Sequence, residues 1–207
     1  MSNANLPSHP IILGSSSKFR AQILTHHNIP FTVLVSNINE KAVGGSRATA
    51  DASELVLAVA RAKADALLVK IQREEDGGEE KLVVTCDQVV AWEGGVREKP
   101  VSEEECISYL KSYTKAPAET HSAVIVTNTK TGKRVEGVDV ARQHFHPIPD
   151  NIISQLIAKG DVMYCCGGFM IDDPLLFPYL AQREGDEDSI IGMPIKLLLR
   201  LLNEAAS

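Results

Sequence analysis

The segment LVVTCDQVVAW, residues 82–92, constrains the fold more than any other part of the chain. Its side chains are apolar at odd and even positions alike, except at Asp87 and Gln88. Successive side chains of a strand point to opposite faces, so this pattern predicts a central strand that is covered on both sides. The covering layers are expected to be helices, since helical patterns occur on either side of the segment.

Residues 52–72 give the clearest of these helical patterns. Ser53 or Asp51 is predicted to cap the helix. Further helices are predicted over residues 103–114, from residues 149–150 to Gly160, and from Pro194 onward. The predicted apolar face of the first helix consists of Leu55, Val59, Ala62, Ala66 and Val69.

Shorter apolar runs predict the remaining strands. Residues 11–13 and 31–36 are strand candidates, and residues 121–128 and 135–148 are expected to pair in antiparallel fashion around the turn 130–133. The charged segment 73–81 is predicted to be an exposed loop. The expected architecture is a single α/β domain, residues 1–207, with a mixed, partly antiparallel sheet flanked by helices.

Charge and cysteine usage limit the function classes. The net charge of −6 argues against a partner that is a nucleic acid polymer. Four cysteines without a CxxC pair indicate free thiols in a reducing compartment. The N-terminal residues do not resemble a signal peptide, and no apolar run approaches the ~20 residues of a membrane span. We therefore expect a cytoplasmic protein that does not contact membranes.

The stretch LGSSSKFRAQIL, residues 13–24, combines hydroxyl and cationic side chains at the start of a predicted helix. A helix N-terminus after a strand and a glycine is a natural anion site, because its N–H groups are unpaired. Ser15 and Ser17 would add hydroxyl donors, and Arg20 would add a charge that can grip a phosphate. The alternative is that a serine merely caps the helix.

Asp87 interrupts an otherwise apolar strand. A buried carboxylate is costly unless it is paired or holds a metal, so Asp87 is either a metal ligand, a general base or part of a structural ion pair. Taken alone, Glu40, Lys63 and Lys99 are ordinary polar residues of a loop, a helix and a turn. The chain contains no P-loop, no GxGxxG and no GxSxG motif, which excludes the corresponding nucleotide sites and hydrolases.

Taken together, these residues resemble the Maf family of nucleotide pyrophosphatases over Ile11 to about Leu202. The opening motif Ser-x-Ser-x-x-Arg stands here as residues 15–20. The acidic loop, the A-x-x-K-A helix, the aspartate of the central strand and the Lys-Pro pair follow in order. The C-terminal Gly-Leu-Pro motif appears as residues 192–194. The matching positions of this chain are Ser15, Ser17, Arg20, Glu40, Lys63, Asp87, Lys99, Pro100, Gly192 and Pro194.

The resemblance implies a fold of two lobes around a central cleft, related to the inosine triphosphate pyrophosphatases, and a homodimer. It also implies hydrolysis of a nucleoside triphosphate to the monophosphate and pyrophosphate. Glu40 and Asp87 would hold a divalent cation, Mg²⁺ or Mn²⁺, and Asp87 would accept a proton from water. Lys63 and Lys99 would act on the phosphates together with Arg20.

One branch of the family has an aromatic residue before the motif arginine and glutamine after the aspartate, as Phe19 and Gln88 are here. That branch is associated with 7-methyl-GTP. Asp172 is the nearest match to the acidic or amide residue that family members place beside the base. Three alternatives remain: a dTTP/UTP-preferring enzyme of the same family, a non-catalytic nucleotide-binding regulator of cell division, and a phosphohydrolase that acts on monophosphates.

Overall fold

The structure, a computed structural model, describes residues 6–45, 50–74 and 78–207. Its strands are β1 (Ile11–Leu13), β2 (Thr32–Val33), β3 (Leu82–Trp92), β4 (Gly95–Arg97), β5 (Ala118–Asn128), β6 (Arg134–Phe145) and β7 (Leu180–Glu184). Its α-helices are α1 (Lys18–His26), α2 (Ala52–Glu74), α3 (Glu103–Ser112), α4 (Asp150–Lys159), α5 (Glu187–Ile191) and α6 (Ile195–Ala206). Short 3₁₀ helices lie at Glu40–Ala42, Asp161–Tyr164, Cys166–Gly168 and Phe177–Tyr179.

The strands form one mixed sheet in the order β2-β1-β3-β5-β6-β7, with β4 paired to β3. The first strand, β1, runs parallel to β2 and β3, whereas the other pairs are antiparallel. The predicted α/β class with a partly antiparallel sheet is therefore confirmed. The two lobes and the single-domain boundary stay predictions.

The third strand, β3, occupies the centre of the sheet, between β1 and β5. Val83 packs with α2 on one face, and Leu82 and Val84 pack with α1 and α6 on the other. All three side chains are fully buried, which confirms that this strand is covered on both sides. Each such side chain stabilises the fold by about 1.5–3 kcal/mol relative to exposure.

The buried face of α2 differs from the predicted one. Ala62 and Ala66 are only partly buried, and Val69 is 49% exposed. Leu55 and Val59 are buried as predicted, but the observed stripe is rotated by about a quarter of a turn, at 100° per residue. The rotation occurs because small residues let the helix approach the sheet closely and because a lysine occupies an inward position. The stripe consists of Ala52, Leu55, Val56, Val59, Ala60, Lys63, Ala64, Leu67 and Ile71.

Nearby side chains and backbone conformations determine where the other helices and strands begin and end. Asp51, and not Ser53, caps α2, because Asp51 Oδ1 accepts a hydrogen bond from Glu54 N at 3.0 Å. Gly160 ends α4 as predicted, with a φ of 82°. The second strand is shorter than the predicted 31–36, because both of its residues are exposed at the sheet edge.

The predicted loop 73–81 begins later than expected, since α2 extends to Glu74. Residues 75–77 of this loop lie outside the described residues. All four cysteines are free thiols, as expected. Across the described ranges, every helix falls short of the length and apolar character that a bilayer crossing requires.

Candidate active site

One pocket with a volume of about 980 Å³ brings together the residues that the sequence singles out. Its walls come from the segment after β1, the middle of β3, the turn after β4, the segment between α4 and β7, and the end of α5. A pocket of this size accommodates a nucleotide-sized ligand. All ten predicted site residues line it: Ser15, Ser17, Phe19, Arg20, Glu40, Lys63, Asp87, Gln88, Lys99 and Asp172.

The serine-rich segment after β1 meets the pocket at the first turn of α1. Gly14 is required there, since a Cβ would lie 2.8 Å from Thr85 Cγ2. Ser17 caps α1 by accepting a hydrogen bond from Arg20 N at 3.4 Å, and Ser15 Oγ accepts one from Ser17 N at 3.2 Å. The capping interpretation is confirmed for Ser17, and the same helix N-terminus lies in the pocket, as an anion site requires.

The Arg20 side chain joins three distant parts of the chain. Its Nε donates to Gly192 O at 3.0 Å, and its Nη1 donates to Ser15 Oγ and to Cys86 O, each at 3.2 Å. Two of the three guanidinium nitrogens therefore make hydrogen bonds within the protein. A phosphate contact would come from Nη2.

Lys63 lies between the two predicted metal ligands. Its side chain is only 7% exposed, and its Nζ is 2.8 Å from Asp87 Oδ1 and 3.1 Å from Glu40 Oε1. The same Nζ donates to Cys86 O at 3.2 Å. Helix α2 turns this lysine inward toward β3, so two carboxylates and one ammonium meet at one point of the pocket.

The environment of Asp87 suits a group that exchanges protons. Burial raises the pKa of Asp87 above the usual range of a carboxyl group, and the neighbouring Lys63 ammonium opposes that shift. The Oδ2 atom takes no part in the pair with Lys63. A carboxylate with a raised pKa is a better proton acceptor than an ordinary surface carboxylate.

The donor set also fits a divalent cation that is shared with a substrate. The part of the chain that the structure describes contains no group of three or more His, Cys, Asp or Glu side chains able to hold a metal. Glu40 and Asp87 would supply two carboxylate groups, and the remaining ligands would come from water and substrate. Mg²⁺ is commonly bound in this way, by one or two carboxylates together with water and substrate phosphates.

Asp87 and Gln88 point to opposite faces of β3, because they are consecutive in one strand. The Nε2 atom of Gln88 donates to Ser122 Oγ at 3.0 Å, to Ser189 O at 3.0 Å and to Ile190 O at 3.2 Å. The amide nitrogen thus ties β3 to α5. A base edge would meet the Oε1 atom.

The other predicted residues lie nearer the surface of the pocket. Phe19 is half-buried, and Lys18 Nζ lies over its ring at 5.1 Å from the centroid. One face of this ring therefore already carries a cation. Lys99 and Asp172 are exposed, with their side chains on the pocket lining.

The sequence pointed to the segment around Asp172, but it missed the adjoining pocket wall formed by residues 161–166. Cys166 Sγ donates to Gln88 O at 3.2 Å, and burial raises the pKa of Cys166 to about 11 and that of Cys165 to about 12. These thiols stay protonated near neutral pH, so they form a wall and supply no nucleophile. The pair Gly167–Gly168 was the available signal, because both residues adopt a φ of 72° in a tight turn.

Comparison with known proteins identifies the family of the chain. The chain is 41% identical over 202 residues to a 7-methyl-GTP pyrophosphatase of Dictyostelium discoideum, which covers 97% of this chain and 100% of that protein. It is 31% identical over 194 residues to a nucleoside triphosphate pyrophosphatase of Salinispora tropica, covering 94% and 83%. It is also 26% identical over 194 residues to a dTTP/UTP pyrophosphatase of Clostridium acetobutylicum, covering 93% and 96%. A model of the family described as Maf-like protein matches residues 10–205, so the chain belongs to the Maf-like family.

Proposed function

We propose that this protein hydrolyses a nucleoside triphosphate between the α and β phosphates, giving a monophosphate and pyrophosphate. The observation that carries the proposal is the position of Lys63 Nζ between Asp87 and Glu40, at 2.8 and 3.1 Å, in a pocket that also contains the N-terminus of α1. Carboxylates, an ammonium and a helix N-terminus are the groups that a hydrolysable polyphosphate requires. The pyrophosphatase names of the relatives support the same reaction.

The phosphate-binding part of the proposal uses the N-terminus of α1 with Ser15 and Ser17. Lys63, Lys99 and Arg20 Nη2 would neutralise the charge that builds on the departing pyrophosphate. Positive groups that meet the leaving group in the transition state raise turnover more than they raise ground-state affinity.

Asp87 would accept the proton of the attacking water. Its raised pKa brings the carboxylate closer to the operating pH, which favours proton transfer. Lys63 would hold this carboxylate in place through the contact to Oδ1, so that Oδ2 is available to the water.

Glu40 and Asp87 would hold a divalent cation, Mg²⁺ or Mn²⁺, as the resemblance to the family implies. When bound, the cation would neutralise phosphate charge at the reacting end of the substrate. Both carboxylates lie within 3.1 Å of Lys63 Nζ, and this proximity to each other supports the assignment.

Among nucleotides we propose 7-methyl-GTP as the preferred substrate. The 41% identity to a relative of that name supports this choice. Phe19 would stack on the base, Gln88 Oε1 would accept from it, and Asp172 would accept from guanine N–H groups. A methylated guanine carries a positive charge, which favours an aromatic and an acidic neighbour.

The experiment measures pyrophosphate release from 7-methyl-GTP, GTP, UTP, CTP, dTTP and ATP with Mg²⁺ or Mn²⁺, with Asp87→Asn as the control. We expect 7-methyl-GTP to lead and Asp87→Asn to lose 10²–10⁴-fold in turnover, the range of general base catalysis. Full activity of a folded Asp87→Asn variant would overturn the mechanism.

The same assay separates the alternatives. If dTTP or UTP is hydrolysed fastest, the proposed reaction stands, but the proposed preference for 7-methyl-GTP is wrong. Binding of nucleotides without any turnover would indicate the non-catalytic regulator, and release of inorganic phosphate from monophosphates would indicate a different hydrolase.

We further propose a cytoplasmic homodimer that binds no nucleic acid polymer and no membrane. Four free thiols support a reducing compartment, and the net charge of −6 argues against a nucleic acid polymer as a partner. Sedimentation velocity would test the dimer directly.

A further inference from the structure

Arg97 is a buried arginine at the end of β4, and it is surrounded by aromatic rings. The residue is 9% exposed, and its Cζ lies 4.2 Å from the ring centroid of Trp92, 4.5 Å from that of Tyr109 and 5.0 Å from that of Tyr113. We call these three rings the aromatic cage. Each distance lies within the range of a cation–π interaction.

Among the residues that the structure describes, none provides an acidic partner for the guanidinium of Arg97. Within the described residues, no carboxylate lies at ion-pair distance from it, whereas Arg61, Arg134 and Arg142 all pair with acidic side chains. Its hydrogen bonds run from Nη1 to Ser112 Oγ at 2.8 Å and to Tyr109 O at 3.5 Å. A buried charge is costly, so its retention without a carboxylate indicates a role beyond filling space.

The residues after Arg97 form a wall of the candidate active site. Glu98, Lys99 and Pro100 all line the pocket. The carbonyl of Glu98 accepts a hydrogen bond from Gly167 N at 3.0 Å. Arg97 is thus separated from Lys99 by one residue whose backbone is fixed to the opposite wall.

The aromatic cage reaches the same opposite wall. The hydroxyl of Tyr113 donates to Gly167 O at 2.8 Å. A Cβ at Gly167 would lie 2.7 Å from that hydroxyl, and a Cβ at Gly168 would lie 3.2 Å from Pro100 Cγ. The glycine pair is therefore packed tightly against Tyr113 on one side and against Pro100, the residue after Lys99, on the other.

These contacts form a closed path from Arg97 through Tyr113 and Gly167 to Glu98. We propose that Arg97 is a positioning residue: the aromatic cage holds the backbone of residues 98–100, and this holds the Lys99 ammonium where it meets pyrophosphate. The inference rests on the proposed function, since it assumes that Lys99 binds the pyrophosphate group.

The test is a double-mutant cycle on the affinity for pyrophosphate in the presence of Mg²⁺, measured by calorimetry. Lys99→Ala and Arg97→Met are each expected to weaken binding about tenfold, which corresponds to about 1.4 kcal/mol. The double variant should bind no more weakly than Lys99→Ala alone, because Arg97 acts only through Lys99.

Two results would overturn the inference in distinguishable ways. If Lys99→Ala binds pyrophosphate like the unmodified protein, the role of Lys99 in the proposed function is wrong. If Lys99→Ala weakens binding and the effect of Arg97→Met simply adds to it, the proposed function stands and Arg97 is structural only.

Matched variants keep the test decisive. Arg183→Met removes an exposed arginine that pairs with Glu187 and should leave the affinity unchanged. If Arg97→Met does not fold, Ser112→Ala takes its place in the cycle. It removes the 2.8 Å bond to the guanidinium together with the 2.7 Å bond from Ser112 Oγ to Tyr109 O, and it leaves the arginine itself in place. It should give a loss of about threefold that likewise disappears in the Lys99→Ala background. Trp92 is the only tryptophan of the chain, so its fluorescence reports whether the aromatic cage is altered.

Discussion

The ammonium of Lys63 lies 2.8 Å from Asp87 Oδ1, with 7% of the lysine side chain and 13% of the aspartate side chain exposed. This contact joins the middle of α2 to the middle of β3, the strand that lies between β1 and β5 at the centre of the sheet. It allows a carboxylate to occupy an otherwise apolar strand. The same contact sets the charge at the centre of the proposed active site.

Lys63→Met should lower both stability and activity. It removes the cation from a buried pair, so the free energy of unfolding is expected to fall by about 3–5 kcal/mol in urea titrations. Turnover should fall about 10²–10³-fold, the usual effect of removing one charge-stabilising donor. Steady-state pyrophosphate release measures the second effect.

Arg61→Met is the control for this prediction, because Arg61 lies on the same helix and pairs with Glu136 near the surface. Its loss should change the free energy of unfolding by only about 0–1 kcal/mol. Equal stability of Lys63→Met and Arg61→Met would contradict the assigned role of the buried pair.

Arg20→Lys should show that the arginine fork cannot be replaced by a point charge. A lysine cannot bond Gly192 O, Ser15 Oγ and Cys86 O together, so one or more buried acceptors lose a partner. We expect a loss of about 1–3 kcal/mol in unfolding free energy and a higher KM. Arg134→Lys, at an exposed pair with Asp65, should have a much smaller effect on both quantities.

The central strand β3 could be predicted from the sequence because its pattern of apolar side chains lies within one short segment. Apolar side chains on both faces of one strand need cover on both sides, and a single carboxylate within it needs a partner. Both expectations depend only on residues 82–92. The predicted antiparallel pair of β5 and β6 was equally local, since its turn lies in the same stretch of chain.

The sequence-based prediction failed where the local structure depends on contacts with residues far away in the chain. The face of α2 was right at Leu55 and Val59 and wrong in the second half of the helix. There Lys63 turns inward to reach Asp87, which the spacing of apolar residues alone does not reveal. The bonds from Arg20 to Gly192 connect residues 172 positions apart. No pattern within a segment indicates such a contact, and the same holds for the aromatic cage around Arg97.

Gly192→Ala and Gly160→Ala should separate backbone strain from an effect on the site. Both glycines have positive φ, 124° and 82°, so alanine at Gly160 should lower unfolding free energy by about 1–2 kcal/mol. A Cβ at Gly192 would additionally lie 3.0 Å from Gln88 Oε1, whereas nothing lies within 4 Å of one at Gly160. Only Gly192→Ala should therefore lower kcat/KM for 7-methyl-GTP relative to GTP. Unchanged selectivity in both variants would argue against a role of Gln88 in base choice.

His121 should make stability depend on pH. Its Nδ1 lies 2.9 Å from Ser53 Oγ, and burial lowers the pKa of His121 below its ordinary value of about 6.5, although Glu119 and Asp51 oppose the shift. Below about pH 6.5 the unfolded chain therefore takes up a proton that the folded protein still excludes. The free energy of unfolding should fall as pH decreases from 7.5 toward 5.5, and the contribution of His121 is fully present only above the unfolded pKa.

Urea titrations at pH 7.5, 6.5 and 5.5 measure this dependence, with His121→Gln and the exposed His26→Gln compared side by side. The decline should be shallower in His121→Gln, because the proton-excluding group is gone, and it should match the unmodified protein in His26→Gln. Identical slopes in all three proteins would mean that His121 takes up its proton equally in the folded and unfolded states.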